Sequence, residues 1–249
     1  MDKAGDSFQG LRALVLGGSG GIGAEISRYL VGAGADTVVH GGHDEGKLST
    51  LRTELCGCSG RLTTVRRELN DAADAARWAG SYEDIDILVV AFGPFLFAGL
   101  EDTSPEDWER MALLNLALPG ALVSTFAPRM ARNGHGRILL FGGTDTDLPQ
   151  SFRKVAAYSA AKSGLSTLAR SAGAVYGPSG VTVNVLCPGP VETEYQSESE
   201  KLYYQRILAD NTMMEPSTLI PLVAFLLSQG GGIVNGVSIR VDKGWDRRS

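Results

Sequence analysis

A tyrosine and a lysine four residues apart are the first pair in this chain whose types and spacing could do chemistry. Tyr158-Ser159-Ala160-Ala161-Lys162 sets a phenol and an ammonium on one face of a helix. A neighbouring cation favours the phenolate and draws its pKa down from about 10 toward working pH. A phenol tuned in this way can hand a proton to a carbonyl oxygen while hydride reaches the carbon. Alone, the pair also fits an ordinary amphipathic helix. Its meaning depends on what else the sequence carries.

The second candidate is a glycine loop. The aliphatic run Leu11–Leu16 ends in Gly17-Gly18-Ser19-Gly20-Gly21-Ile22-Gly23, and a helical pattern follows over Ala24–Ala33. Strand, glycine loop and helix form the context in which a nucleotide diphosphate binds. Glycines let the backbone turn and approach the pyrophosphate, and the helix N-terminus offers unpaired N–H groups. Gly18, Gly20 and Gly23 satisfy G-x-G-x-x-G, while Gly17, Gly21 and Gly23 satisfy G-x-x-x-G-x-G. Without nucleotide the loop would be a tight strand–helix turn. An acidic residue at the end of the second strand would bind the ribose of NAD and repel the extra phosphate of NADP. That strand ends instead in Gly41-Gly42-His43, with Asp36 at its wrong end and Asp44 just past it. The expected cofactor is therefore NADP(H), with NAD(H) the alternative. His43 and Lys47 are candidate phosphate partners, or solvated loop residues.

The elements that must position these groups alternate. Strands are expected at Leu11–Leu16, Thr37–His40, Arg61–Arg66, Ile85–Ala91, Arg137–Phe141, Val181–Leu186 and Val237–Val241. Ile85–Ala91 is nearly all aliphatic, as a parallel strand buried on both faces should be. Helices are expected over Asp71–Tyr82, Tyr158–Tyr176 and Ser217–Ser228, and from Ser104-Pro105-Glu106-Asp107, a strong helix start, to about Arg132 with Pro119 as a kink. Strands alternating with helices imply βαβ units. The expected fold is α/β, a doubly wound, Rossmann-like parallel sheet of about seven strands with helices on both faces, in one domain spanning 1–249.

Composition narrows the function classes. The chain has 249 residues with formal charge −5, which leaves no basic surplus for nucleic acid or an anionic membrane. Its first ten residues have no apolar core and do not read as a secretory signal. The longest nearly apolar run, Leu219 to Leu227, is far shorter than the ~20 residues that cross a bilayer. Three cysteines favour a reducing cytoplasm over a disulfide framework. Cys56-Gly57-Cys58 lacks a second pair and the histidines have no ligand spacing, so no metal is expected. The 32 glycines are nearly double the ~7% norm.

Taken together, these motifs resemble the short-chain dehydrogenase/reductase family in its single-domain form, over essentially the whole chain. The resemblance rests on the G-x-x-x-G-x-G loop, Asp86-Ile87-Leu88-Val89, Asn115, Tyr158 with Lys162, Asn184-Val185-Leu186-Cys187-Pro188-Gly189, Thr193 and Val241-Asp242-Lys243-Gly244, all in the family's order. Ketoacyl and polyketide ketoreductases and bacterial carbonyl reductases are its nearest-looking members. The resemblance implies that Tyr158 is the general acid/base and that Lys162 holds the nicotinamide ribose. It implies that Asn115 orders the helix and a water relaying protons to Lys162. Glu68 and Leu69 would flank adenine. Pro188, Gly189, Val191 and Thr193 would cover the carboxamide. The glycine loop with Ser19, Gly20 and Ile22, then Gly42, His43, and Ala91-Phe92-Gly93, would complete the cofactor site. A homo-oligomer, dimer or tetramer, is also implied, as is turnover of a small-molecule carbonyl or alcohol.

Four departures stand out. Leu16 replaces a threonine before the glycine loop, Val90-Ala91-Phe92-Gly93 replaces Asn-Asn-Ala-Gly, and Lys243 replaces a glycine. Most seriously, Gly143 stands where the family has a catalytic serine. Loss of one such hydrogen-bond donor costs on the order of 10²–10³ in rate. Thr144 is expected to supply the hydroxyl if the loop shifts by one; Asp145 or Thr146 could also reach, and Asp145 could grip a substrate hydroxyl. On the substrate side, Phe92, Phe95 and Phe97 follow the fourth strand. Tyr195, Tyr203 and Tyr204 lie in a variable lid over about 192–215 whose acidic stretch reads as solvated. If these rings line the pocket rather than merely pack, the substrate is apolar, even aromatic. Non-redox chemistry on the same fold, or cofactor binding without turnover, are the rival readings.

Overall fold

The computed structural model describes residues 8–196, 201–202 and 212–244. Seven parallel strands, β1 (Arg12–Leu16), β2 (Asp36–Gly41), β3 (Leu62–Arg66), β4 (Ile87–Val90), β5 (Gly136–Phe141), β6 (Val181–Pro188) and β7 (Ser238–Val241), lie in the order β3-β2-β1-β4-β5-β6-β7. The order reverses between β1 and β4, which pair Ala13 with Ile87 through Leu16 with Val90. At such a switch point the chain leaves the two strands in opposite directions and opens a crevice at their carboxyl ends. Every residue of β4, β5 and β6 is buried, as strands covered on both faces must be.

Helices α1 (Gly21–Gly32) and α7 (Ile220–Leu227) cover one face of the sheet, with Ile26, Leu30, Val223 and Leu227 in its core. Helices α3 (Ala72–Ala79), α5 (Leu118–Arg132) and α6 (Ala156–Tyr176) cover the other, around Leu122, Phe126, Leu165 and Ala169. Helix α2 (Glu45–Glu54) was not expected: it buries only Leu48 and Leu51, too few to show a helical period, and Asp44 is its N-cap, accepting from Lys47 N. Asp86 ties the start of β4 to β1 by accepting from Arg12 N at 2.8 Å.

Ser104 starts α4 (Pro105–Ala112) with a full capping box. A π-helical turn, Leu113–Ala117, then joins α4 to α5. The expected kink at Pro119 is this turn: proline has no N–H, so the carbonyl of Asn115, four residues back, loses its α-helical donor. Single π turns of this kind gather at functional sites. The stretch Pro105–Arg132 is long and apolar enough to cross a membrane by length and composition alone. Its apolar residues, Leu118, Leu122, Val123, Phe126 and Met130, are spent instead in the sheet core.

Candidate active site

The crevice at the switch point continues into a single cleft of about 1810 Å³ that runs from the glycine loop to Tyr158 and beyond. Its floor at one end is the glycine loop: Gly17, Ser19, Gly20, Gly21 and Ile22 line it. Gly17 has φ +73°, and a Cβ there would lie 2.6 Å from Phe92 Cβ and 3.0 Å from the Ala91 backbone. No L side chain fits that turn without strain. Gly23 does not line the cleft; a Cβ on it would meet Gly17 O at 2.1 Å, so its glycine serves the packing of α1 on the loop.

Leu16 is fully buried and offers no hydroxyl, and other groups brace the loop. Ser27 Oγ donates to Gly18 O and Gly23 O at 3.0 and 2.8 Å. The backbone N–H of Gly17 donates to His40 Nδ1 at 3.4 Å, which leaves Nε2–H to donate to Arg67 O at 2.7 Å. Burial, chiefly, lowers the His40 pKa, and the neutral ring is what this pairing requires. His40 sits inside a strand and is a functional position that sequence reasoning passed over.

Gly42, His43, Glu68 and Leu69 line the cleft's far end, where adenine was expected. His43 Nδ1 pairs with Glu68 Oε1 at 2.9 Å. Lys47 Nζ donates to Glu194 Oε1 at 2.8 Å and lies 4.1 Å above the Tyr195 ring. Glu194 in turn accepts from Gly21 N with both oxygens at 3.2 Å. Against the upward push of partial burial, Lys47 and the Gly21 N–H hold this carboxylate below its usual range. Glu194 is therefore bound, not solvated as its acidic stretch suggested; the remainder of that stretch, with Tyr203 and Tyr204, falls outside the described residues. A carboxylate drawn to the first N–H of α1 shows that this helix end holds an anion, which fits the pyrophosphate of a dinucleotide.

Across the cleft, Ala91, Phe92, Gly93, Pro188, Gly189, Val191 and Thr193 form the opposite wall. Val90 and Ala91, at the positions of the family's two asparagines, turn into or against the core, where those residues would have used amides.

The chemistry-bearing groups meet at the middle. Tyr158 and Lys162, one turn apart on α6, both line the cleft. Lys162 is buried and its Nζ donates to Phe141 O at 2.8 Å; burial lowers its pKa to about 8. Asn115, carried by the π turn, is fully buried and does not line the cleft. Its Nδ2 donates to Pro94 O at 3.1 Å. Its Oδ1 has no hydrogen-bond partner among the described residues. Oδ1 and Lys162 Nζ face the same side of Gly93, 2.2 and 3.1 Å from where a Cβ would stand. Buried acceptors are rarely left unpaired, so this one marks a place for a donor beside Lys162.

Gly143 lies against Tyr158: a Cβ on Gly143 would come within 2.7 Å of the tyrosine Oη and 2.8 Å of Cε1. Thr144 does not meet the expectation placed on it. Its hydroxyl donates to Pro188 O at 3.2 Å, because Thr146 holds the turn in another register, its Oγ1 accepting from Gly143 N and donating to Gly143 O. Asp145 is nearly buried, with φ +59°, and pairs with Arg240 Nη2 at 3.4 Å. Arg240 also bonds Asp242. Asp145 thus shares its cation with Asp242, and this ion pair spans 95 residues of sequence with no local signal. Cys187 lies below, its thiol pushed up to about 11 by burial and hence neutral. Lys243, in place of a glycine, adopts φ +57°, at a cost of about 1–2 kcal/mol.

Beyond Tyr158 the wall is aromatic. Phe95 packs edge-on against Tyr158 at 5.0 Å and Phe97 lies 6.4 Å from Phe95. Phe95 lines the cleft beside Tyr158; Tyr195, expected on the substrate side, lies instead at the other end, its hydroxyl over Gly20 and its ring under Lys47.

Comparison with known proteins agrees with this geometry. Residues 12–203 match the family model described as short chain dehydrogenase. The chain is 31% identical over 241 residues to the cyclic-di-GMP-binding biofilm dispersal mediator protein of Escherichia coli, covering 95% of this chain and 97% of that one. It is 27% identical to the D-beta-hydroxybutyrate dehydrogenase of Rhizobium meliloti, covering 94% and 97%. A solved structure from Beutenbergia cavernae, described as an NAD(P) dependent gluconate 5-dehydrogenase with bound NADP at low occupancy, superimposes with a TM-score of 0.87 at 27% identity, covering 97% and 99%.

Proposed function

This chain belongs to the short-chain dehydrogenase/reductase family, and we propose that within it the protein is an NADP(H)-dependent carbonyl reductase, or the alcohol dehydrogenase of the reverse reaction, acting on an apolar, ring-bearing small molecule. One observation carries the reading: a single cleft joins the anion-holding glycine loop to Tyr158, with buried Lys162 one turn away. The NADP in the Beutenbergia structure supports the cofactor class, and the absence of a carboxylate at the end of β2 supports NADP(H) over NAD(H).

Gly17 to Ile22 would hold the pyrophosphate of NADP(H), Glu68 and Leu69 would flank its adenine, and Pro188 to Thr193 would cover its carboxamide; the nicotinamide would supply or accept the hydride. Tyr158 Oη gives its proton to the carbonyl oxygen as charge develops there. Lys162 is largely protonated at neutral pH and favours the phenolate that this leaves. Asn115 Oδ1 is the acceptor from which a proton path to Lys162 starts. Phe95 fixes the tyrosine ring by its edge contact. The reading includes a cytoplasmic homo-oligomer, dimer or tetramer.

Gly143 favours one rival: without a hydroxyl there, Tyr158 could drive a dehydration or isomerisation without net redox. NADPH absorbance with a panel of ketones, quinones and aromatic carbonyls separates the two, with Tyr158→Phe alongside. Turnover that falls by about 10²–10⁴ in the variant supports the reductase. NADPH binding with no oxidation on any substrate overturns it and promotes the non-redox reading.

A further inference from the structure

The cations in and beside the cleft fall into two sets. Four are partnered: Lys47, beside the glycine loop, has Glu194 at 2.8 Å, Arg67 has Asp74 at 2.7 Å, Arg240 has Asp145 and Asp242, and buried Lys162 donates to Phe141 O. The other three, Arg110 from α4 and Arg153 and Lys154 from the segment before α6, line the same cavity, and Lys154 is joined to Tyr158 by the row of rings Phe97 and Phe95. No ion pair joins any of these three to another described residue. Lys154 Nζ instead stands 5.6 Å over the ring of Phe97. The chain carries more acid than base, 28 residues against 23, so three unpaired cations at one rim do not follow from composition.

The same cavity wall carries exposed apolar side chains. Phe95 and Phe97 are 42% and 48% exposed and Leu148 is 64% exposed, all on the cavity wall. Exposed rings beside the reacting group are a surface for a ring-bearing ligand. Guanidinium groups at its edge select planar oxyanions by paired N–H donors.

We propose that the substrate carries an anionic group, a carboxylate or phosphate, at the end remote from its reacting carbonyl, and that Arg110, Arg153 and Lys154 bind it. This rests on the reading of Tyr158 as the reacting end, and it names the substrate class of that same site. The ring would lie on Phe95 and Phe97 with its carbonyl at Tyr158, leaving its far substituent at the three cations. A charge-assisted hydrogen bond of this kind makes a discrimination of about tenfold or more.

The test uses calorimetric binding to the NADP-loaded protein, so that it does not depend on turnover. The probes are 4-acetylbenzoate, its methyl ester and 4-acetylphenylphosphonate, together with the 6-acetyl-2-naphthoate acid and ester. The expected result is tighter binding of the acids than of their esters by about tenfold, weakening with added salt for the acids alone. Arg153→Gln with Lys154→Gln would reduce that ratio at least fivefold, and Arg110→Gln by a smaller factor. The phosphonate arm separates phosphate from carboxylate as the natural group. Acids and esters bound alike, neither bound at millimolar concentration, or a ratio that survives the substitutions would each overturn the proposal. Oxidation of NADPH by the same ketones is read in parallel: selective binding without turnover leaves the anion site standing and counts against the reductase reading alone.

Discussion

Around the glycine loop the groups that meet a ligand are backbone groups, each braced by a buried side chain, while beyond Tyr158 they are side chains braced by one another. Gly17 N rests on His40, and the Gly18 and Gly23 carbonyls rest on Ser27. On the other side, Phe95 leans on Tyr158, Lys154 on Phe97, and Asp145 on Arg240. The first half lacks a hydroxyl at Leu16 and amides at Val90 and Ala91, and its loop is held through His40 and Ser27 instead. In the second half, replacing one of these side chains removes the partner of another. A fold can therefore hold its cofactor site constant while its substrate site drifts.

The largest test of this difference sets two glycines against each other. Gly17→Ala forces a left-handed residue onto the Ala91 backbone, and strain plus clash should weaken NADP(H) binding by about 10²-fold, read by fluorescence titration. Gly143→Ala pushes only on the movable end of Tyr158. It should leave NADP(H) affinity within twofold and lower kcat by about 10²-fold, the cost of displacing a reacting group by an ångström. Equal losses of affinity in both variants would erase the distinction. Gly32→Ala, outside the cleft and with nothing within 4 Å of the new methyl, is the matched control.

A smaller effect is expected at Glu194, whose carboxylate sits on the N–H that a phosphate would use. Glu194→Gln should tighten NADP(H) binding about fivefold by removing a competing charge from the helix end. Weaker binding would mean that Glu194 works with the cofactor, not against it.

The smallest effect is a slope. Burial puts Lys162 at about 8 in the folded chain against 10.5 in the unfolded one. Between these values the unfolded chain binds more protons, so this group makes stability rise with pH across that window. Its penalty is fully present below about pH 8. Lys162→Met should abolish that share of the rise, checked by urea midpoints at pH 7.5 and 9.5 in both proteins.

How much of this could be read from the letters follows the same division. The strands were visible because burial on both faces leaves aliphatic runs such as Ile87–Val90, and the glycine loop was visible because a backbone site must be written in glycine. Helix α2 was not, since Leu48 and Leu51 are its only buried residues and its cap, Asp44, was weighed as a cofactor ligand. The wall beside Tyr158 was legible in its rings, Phe95 and Phe97, yet not in its pairings, and Tyr195 lies over the glycine loop instead of with them. Nothing local announces that Thr144 turns to Pro188, that Glu194 reaches Gly21 across 173 positions, or that Arg240 meets Asp145.

The space at Gly143 also bears on the history of the site. Tyr158 has its hydroxyl where a side chain at 143 would begin, so regaining a serine there is not a one-step reversal. The new Cβ would meet the phenol before its hydroxyl could help, and the phenol could retreat only by loosening its edge contact with Phe95. Glycine at 143 is thus coupled to phenylalanine at 95 through the ring of Tyr158 that touches both, and a side chain at 143 asks for a change in all three.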